Sequence, residues 1–170
     1  MIPDFNTISQ YSNKHINTQR ILFFLAFITF GIGDALTGAL LMSTKGIHAE
    51  SNNVFRYLYE THGPGGFITI KLTLTAVLLI AVFIIYHQSN GRSYWMITGW
   101  LVALCMGGIM AITANLQAVM GLAHMGPTDI IILYFILTIL FIQAGDLIDR
   151  KKPIFLFNKL HSILPWNHCT

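Results

Sequence analysis

The sequence predicts an all-α integral membrane protein: an antiparallel bundle of four transmembrane helices, with both termini in the cytoplasm and an amphipathic helix on the membrane surface near the C-terminus. Of its 170 residues, 54% are hydrophobic and only 10% are charged, whereas about 25% are charged in ordinary soluble domains. Four apolar runs approach or exceed the roughly 20 residues that cross a bilayer as a helix. Basic residues collect in the segments that four crossings place on one side.

The apolar runs predict a transmembrane domain over residues 21–148. Only helices satisfy their backbone groups within a single segment in lipid, so each run is expected to be helical. The predicted spans are residues 21–42, 67–86, 95–120 and 130–148. A polar tail of residues 1–20 precedes them without the pattern of a cleaved signal. A basic, amphipathic tail of residues 149–170 follows.

The distribution of basic residues predicts the orientation in the cell membrane. Lys45 and Arg56 lie on one predicted side, and seven basic residues lie on the other, namely Lys14, Arg20, Arg92, Arg150, Lys151, Lys152 and Lys159. Because basic loops stay in the cytoplasm, both termini are expected there. In residues 153–164, bulky apolar residues accompany Lys159 and His161, which is typical of an interfacial helix.

Charged residues inside spans carry the most information, because an ionised group at that depth is costly and is usually paired or lines a polar cavity. At a rise of about 1.5 Å per residue, Asp34 of the first span and Lys71 of the second reach nearly the same depth in the outer leaflet. We therefore predict an ion pair there, within a larger polar cluster. The predicted cluster is Asp34, Thr37, Lys71, Thr75, Asn115 and Gln117, with His48, Glu50 and Asn52 of the first loop as a lid above it.

Small residues recur every four positions in the third span, at Gly99, Ala103, Gly107 and Ala111. Such a stripe lets helix backbones approach closely. We expect it to pack against partner helices, either of other membrane subunits or of a second copy of the chain.

The sequence contains few motifs that indicate metal binding or catalysis. Histidine and carboxylate ligands of the kind that Zn²⁺ uses stand at His48, Glu50, His62 and His124, and they define an alternative metal site. No Gly-x-Ser-x-Gly motif is present, and Cys105 lies among apolar residues where a thiol is usually inert. We predict no catalytic residue and no cofactor. A net charge of +3, scattered along the chain, argues against nucleic acid as a partner.

The order of these polar residues resembles a known family. Asp34 with Thr37, the segment Glu50-Ser-Asn52, Lys71 and Asn115 are similar to residues of small prokaryotic, notably archaeal, polytopic membrane proteins grouped as a domain of unknown function. A Glu-x-Asn-Pro segment is typical of that family, and Asn53 stands here in place of its proline. The resemblance covers about residues 25–120. It implies a helical membrane bundle and no particular reaction.

Three functions remain open from the sequence. The first is a non-catalytic accessory or structural subunit that packs against partner helices in a membrane complex. The second is a small carrier or ligand-binding protein that uses the outer-leaflet polar cluster. The third is a membrane metalloenzyme with loop histidines. Whether the Asp34–Lys71 pair fixes the helices in register or serves a site also stays open.

Overall fold

A computed structural model describes residues 18–89 and 93–163, with the backbone alone from residue 152 on. Four helices in it are long and apolar enough to cross a membrane, which confirms a multi-pass, all-helical membrane protein in the described part of the chain. They are α1 (Thr18–Lys45), α2 (Asn53–Gln88), α3 (Tyr94–Val119) and α4 (Pro127–Ile163). A single 3₁₀ turn, Ile47–Ala49, lies between α1 and α2. The predicted tail up to residue 17 and the apolar face of residues 153–164 lie outside the described residues and side chains.

The helices lie in the spatial order α2, α1, α3, α4, so that α1 and α3 form the centre. Consecutive helices run antiparallel, but the central pair is parallel. Gln19 of α1 bonds Thr98 of α3 at one end, and Asp34 of α1 bonds Asn115 of α3 at the other. A core of fully or nearly fully buried side chains joins the helices α1, α2 and α3: Ala26, Leu79, Ile97, Leu101 and Leu104.

The α1–α3 contact depends on glycine and on an irregular stretch of α1. Residues Phe27–Gly33 form a π-helix, a wider turn that is rare in proteins and frequent at functional sites. At Gly108 of α3, an added Cβ would lie 2.6 Å from the backbone nitrogen of Phe30 in this stretch. Two backbones therefore touch directly just before Asp34, where α1 returns to regular α-helix.

The first part of the small-residue stripe of α3 packs against α4 of the same chain. We had expected the stripe to pack against a partner protein. A Cβ at Gly99 would overlap the carbonyl oxygen of Phe141, and one at Gly107 would lie 2.5 Å from the ring of Tyr134. Ala103 is fully buried and Ala111 is half-buried. Since α4 already covers Gly99 and Gly107, that part of the stripe is a contact within the chain. Gly145 of α4 contributes from the other side, against the backbone of Trp95.

A kink divides α2 into a short segment, residues 53–62, and a long one, residues 64–88. Gly63 has a φ of 66° and a ψ of −175°, a conformation that L side chains rarely adopt. Pro64 then begins the long segment, where its fixed φ suits a first helical position and its missing N–H removes no helical bond. The predicted span of residues 67–86 lies within this long segment. The short segment folds back over the end of the bundle.

At the opposite end of the bundle, Asp149 of α4 caps α3. Its two carboxylate oxygens accept the backbone N–H groups of Trp95 and Met96 at 3.1 and 2.9 Å. These N–H groups have no partner within a helix that starts at Tyr94. Asp149 thus ties the two helices together.

Gly99→Ala should destabilise the fold, because its new methyl group has no room against the α4 backbone. We expect a loss of about 1–3 kcal/mol in the free energy of unfolding, measured by denaturant titration of the purified protein in mixed micelles. Gly65→Ala is the matched control, since nothing lies within 4 Å of a Cβ at Gly65. Equal effects of the two substitutions would contradict the close α3–α4 contact.

Candidate functional site

The predicted ion pair is present in the structure. Lys71 Nζ lies 2.7 Å from Asp34 Oδ2, and the two side chains are only 12% and 13% exposed. This pair joins α1 to the long segment of α2 at the end of the bundle that carries the first and third loops. A sheltered pair of this kind demands that both charges be satisfied, because leaving either one alone is costly.

Asn115 adds the third helix to the cluster. Its Nδ2 donates to Asp34 Oδ1 at 3.4 Å and to Thr37 Oγ1 at 3.1 Å. The Thr37 hydroxyl in turn donates to the Gly33 carbonyl at 2.8 Å, so its oxygen is left to accept from the amide. Both oxygens of the Asp34 carboxylate therefore have a partner, one from α2 and one from α3.

Two aromatic rings enclose the ammonium group. Lys71 Nζ lies 5.1 Å from the ring centre of Phe55 and 5.4 Å from that of Phe67, within the range of cation–π attraction. Phe67 is fully buried and meets Phe55 and Tyr59 edge to face. Phe55 and Tyr59 stand on the short segment of α2, so the kink at Gly63 is what brings them over the pair.

Two predicted members of the cluster, Thr75 and Gln117, make no hydrogen bond to its other side chains. The Thr75 hydroxyl donates to the Lys71 carbonyl at 3.0 Å, and its methyl group packs near Gly31. Gln117 follows Asn115 by two residues, which turns it about 200° around the helix axis. Its side chain makes no hydrogen bond to any described residue.

A cavity of about 340 Å³ opens beside the cluster, between the first loop, the third loop and the ends of α1, α3 and α4. Asn115 lines it and so connects it to the ion pair. The other polar lining residues are Lys45, Glu50, Ser51 and His124. Apolar side chains form much of the remaining wall, among them Leu41, Ala114, Ala118, Met125 and Ile130. This combination of apolar walls and a few polar groups is typical of small-molecule sites of about 300–1,000 Å³.

The first loop is braced by its own residues. Asn52 caps α2 by accepting the Val54 N–H at 2.9 Å, and its own N–H donates to Glu50 Oε1 at 2.9 Å. Arg56 donates to the carbonyl oxygen of Glu50, at 2.6 and 3.2 Å, rather than to its carboxylate. Of the three predicted lid residues, Glu50 therefore lines the cavity, Asn52 is a helix cap and His48 is exposed.

The alternative metal site is not formed. Within the part of the chain that the structure describes, no group of three or more His, Cys, Asp or Glu side chains is placed to hold a metal ion. His62 bonds the neighbouring Thr61 hydroxyl beside the kink, and His124 bonds the Leu122 carbonyl in the third loop. Glu50, His62 and His124 are thus held by local contacts and His48 is exposed, so the described residues do not form the predicted metal site.

Several residues of the site were missed in the sequence. Phe55 and Tyr59 stand four residues apart before His62-Gly-Pro-Gly-Gly66, and that spacing on a short helix was the available signal for an aromatic cover. Lys45 and Ser51 carried no signal beyond their polarity, because their place in a cavity depends on how two distant loops meet.

Residues 25–121 match the model of a family described as a domain of unknown function, DUF5658. The match covers more than half of the chain, so the chain belongs to this family. It confirms the predicted membership of an uncharacterised family and includes Asp34, Lys71 and Asn115. No curated protein and no solved structure matches the chain. The archaeal origin stays a prediction.

The Asp34–Lys71 pair should be strongly coupled in its effect on stability. Asp34→Asn alone, or Lys71→Met alone, leaves one charge without its partner and is expected to cost about 3 kcal/mol. The double variant removes both charges, so it should cost much less than the sum, with a coupling energy of about 2 kcal/mol in a double-mutant cycle of unfolding.

The exposed Arg150–Asp146 pair is the matched control for this cycle. Its atoms are 2.8 Å apart, but the side chains are 75% and 38% exposed. Coupling there should stay below about 0.5 kcal/mol, because exposed pairs of this kind contribute little. Additive effects of Asp34→Asn and Lys71→Met would argue against a sheltered pair.

Proposed function

We propose that this member of the DUF5658 family is a non-catalytic membrane protein that binds a small molecule in the cavity between its first and third loops. The observation that carries this proposal is the cavity itself, with apolar walls and polar groups from α1, α3 and both loops. Ser51, Glu50 and His124 all line it, but among the described residues no hydrogen bond joins the Ser51 hydroxyl to either possible base, so binding, carriage or sensing fits better than catalysis.

The buried ion pair supports the cavity but is a poor ligand site in its own right. Lys71 is engaged by Asp34 and two aromatic rings, and Asp34 is engaged by Lys71 and Asn115. A ligand would have to replace these contacts before binding there. Asn115 instead offers its remaining amide oxygen, because its Nδ2 already donates to Asp34 and Thr37. We therefore assign the pair to fixing α1, α2 and α3 beneath a separate binding cavity.

The predicted role as an accessory subunit remains a second candidate with less support. It rested on the small-residue stripe of α3, and α4 covers Gly99 and Gly107 of that stripe. The outward faces of α2 and α4 are apolar and exposed, as lipid contact alone requires.

We also propose that the cavity opens to the outside of the cell. Arg150 and Lys151 lie at the opposite end of the bundle from the cavity, next to Asp149 and the start of α3, and the positive-inside rule assigns that end to the cytoplasm.

Filling the cavity should remove a co-purifying small molecule. Ala118 lines the cavity, so Ala118→Trp occupies its volume, whereas Leu116→Trp on an exposed face of the same helix is the control. Mass spectrometry of organic extracts from equal amounts of each purified protein should find a compound bound to the wild-type chain and to Leu116→Trp, and strongly depleted in Ala118→Trp. Identical extracts from all three proteins would contradict the proposed function.

Labelling in intact cells tests the orientation. In a chain with Cys105→Ala and Cys169→Ser, Glu60→Cys near the cavity end should react with a membrane-impermeant maleimide. Lys151→Cys should react only after the cells are opened, because its end of the bundle is assigned to the cytoplasm. The reverse pattern would place the cavity on the inner side.

A further inference from the structure

We infer that the ligand of this cavity is a zwitterion with an apolar part, bound through Lys45 and Glu50; this inference rests on the proposed function. Both residues line the same cavity and carry opposite charges. Yet no ion pair joins them, and the ion pairs found among the described residues are those of Lys71 with Asp34 and of Arg150 with Asp146.

The loop holds Glu50 so that its charge stays available. Oε1 accepts the Asn52 N–H, while Oε2 accepts no bond from any described residue. Arg56 is the obvious neutralising partner, but its guanidinium is used on the Glu50 carbonyl oxygen. Glu50 lines the cavity and its Oε2 has no partner within the described residues, so it is available to a ligand, and an ammonium group is the donor that would bond it most strongly.

His124 adds a second acceptor for such an ammonium. Its Nδ1 lies 3.1 Å from the Leu122 carbonyl oxygen, which can only accept, so Nδ1 carries the proton of this bond. In the neutral imidazole the other ring nitrogen is then an acceptor, on a residue that lines the cavity.

The ammonium of Lys45 provides the opposite charge. It stands in the last turn of α1, where the helix dipole favours a cation, and no described carboxylate is within ion-pair distance of it. An anionic ligand group would bond it, with the Ser51 hydroxyl as a further polar group in the lining. A purely anionic ligand would place a negative charge near the Glu50 carboxylate. A purely cationic ligand would place a positive charge near the Lys45 ammonium. A ligand with both charges avoids both repulsions and therefore fits best.

Two kinds of ligand have this chemistry: a free zwitterion such as an apolar amino acid, and a zwitterionic lipid head group. Isothermal titration of the purified protein in detergent distinguishes them with matched probes. L-leucine is compared with 4-methylpentanoate, which lacks the ammonium, and with isopentylamine, which lacks the carboxylate. Dihexanoyl phosphatidylethanolamine is compared with dihexanoyl phosphatidylglycerol, which lacks the ammonium.

In at least one series, the zwitterion should bind about tenfold more tightly than its singly charged analogues, as expected for one charge-assisted bond. Glu50→Gln, which keeps the Oε1 contact with Asn52, should remove the preference over the anion. Lys45→Met should remove the preference over the amine. Glu60→Gln and Lys151→Met, exposed and outside the cavity lining, should leave both preferences unchanged.

The outcomes separate this inference from the proposed function. Equal binding of zwitterion and single ions, or binding of none of the probes, overturns the inference. If a probe binds without charge preference but Ala118→Trp abolishes its binding, the cavity is still a binding site and only the ligand class is wrong. If a probe binds equally to wild type and Ala118→Trp, both the inference and the proposed function fail.

Discussion

The bond between Asp34 and Lys71 constrains most of the bundle around it. A carboxylate and an ammonium 2.7 Å apart within the spans fix the height of α1 relative to α2, because sliding either helix by one turn would move a charge about 5.4 Å from its partner. Asn115 extends the same constraint to α3 through the second carboxylate oxygen. Phe55 and Phe67 then determine where the short segment of α2 must lie.

Close backbone contact also holds α1 against α3. The π-helical stretch of α1 meets Gly108 of α3 one to two turns before Asp34. A π-helical turn takes more residues than an α-helical turn, so it changes the face on which every later side chain of α1 projects. Asp34 and Thr37 project toward Asn115 only after this change. The irregular turn therefore contributes to the direction in which Asp34 and Thr37 project toward Asn115.

Much of this fold was predictable, and the errors have identifiable physical causes. The rise per residue of a helix was enough to predict that Asp34 and Lys71 lie at one depth. The polar side chain of Asn115 within an apolar span was enough to predict it as a member of the cluster. The stripe from Gly99 to Ala111 was treated as a single face, but residues four apart differ by about 40° in direction, which accumulates to about 120° over the stripe and to about 160° at Asn115. Gly99 therefore faces α4 while Asn115 faces α1. Linear spacing could not reveal the cavity either, since Lys45 at the end of α1 and His124 in the third loop line it together although they are far apart in sequence.

Two pairs of opposite charges near the first loop differ in how completely the described residues satisfy them. Asp34 and Lys71 are sheltered from solvent and have every strong contact they need within the chain. Lys45 and Glu50 lie a short distance away on a cavity, where solvent access lets a charge remain without an internal partner at modest cost. In the proposed function, a ligand with both charges would complete these two groups.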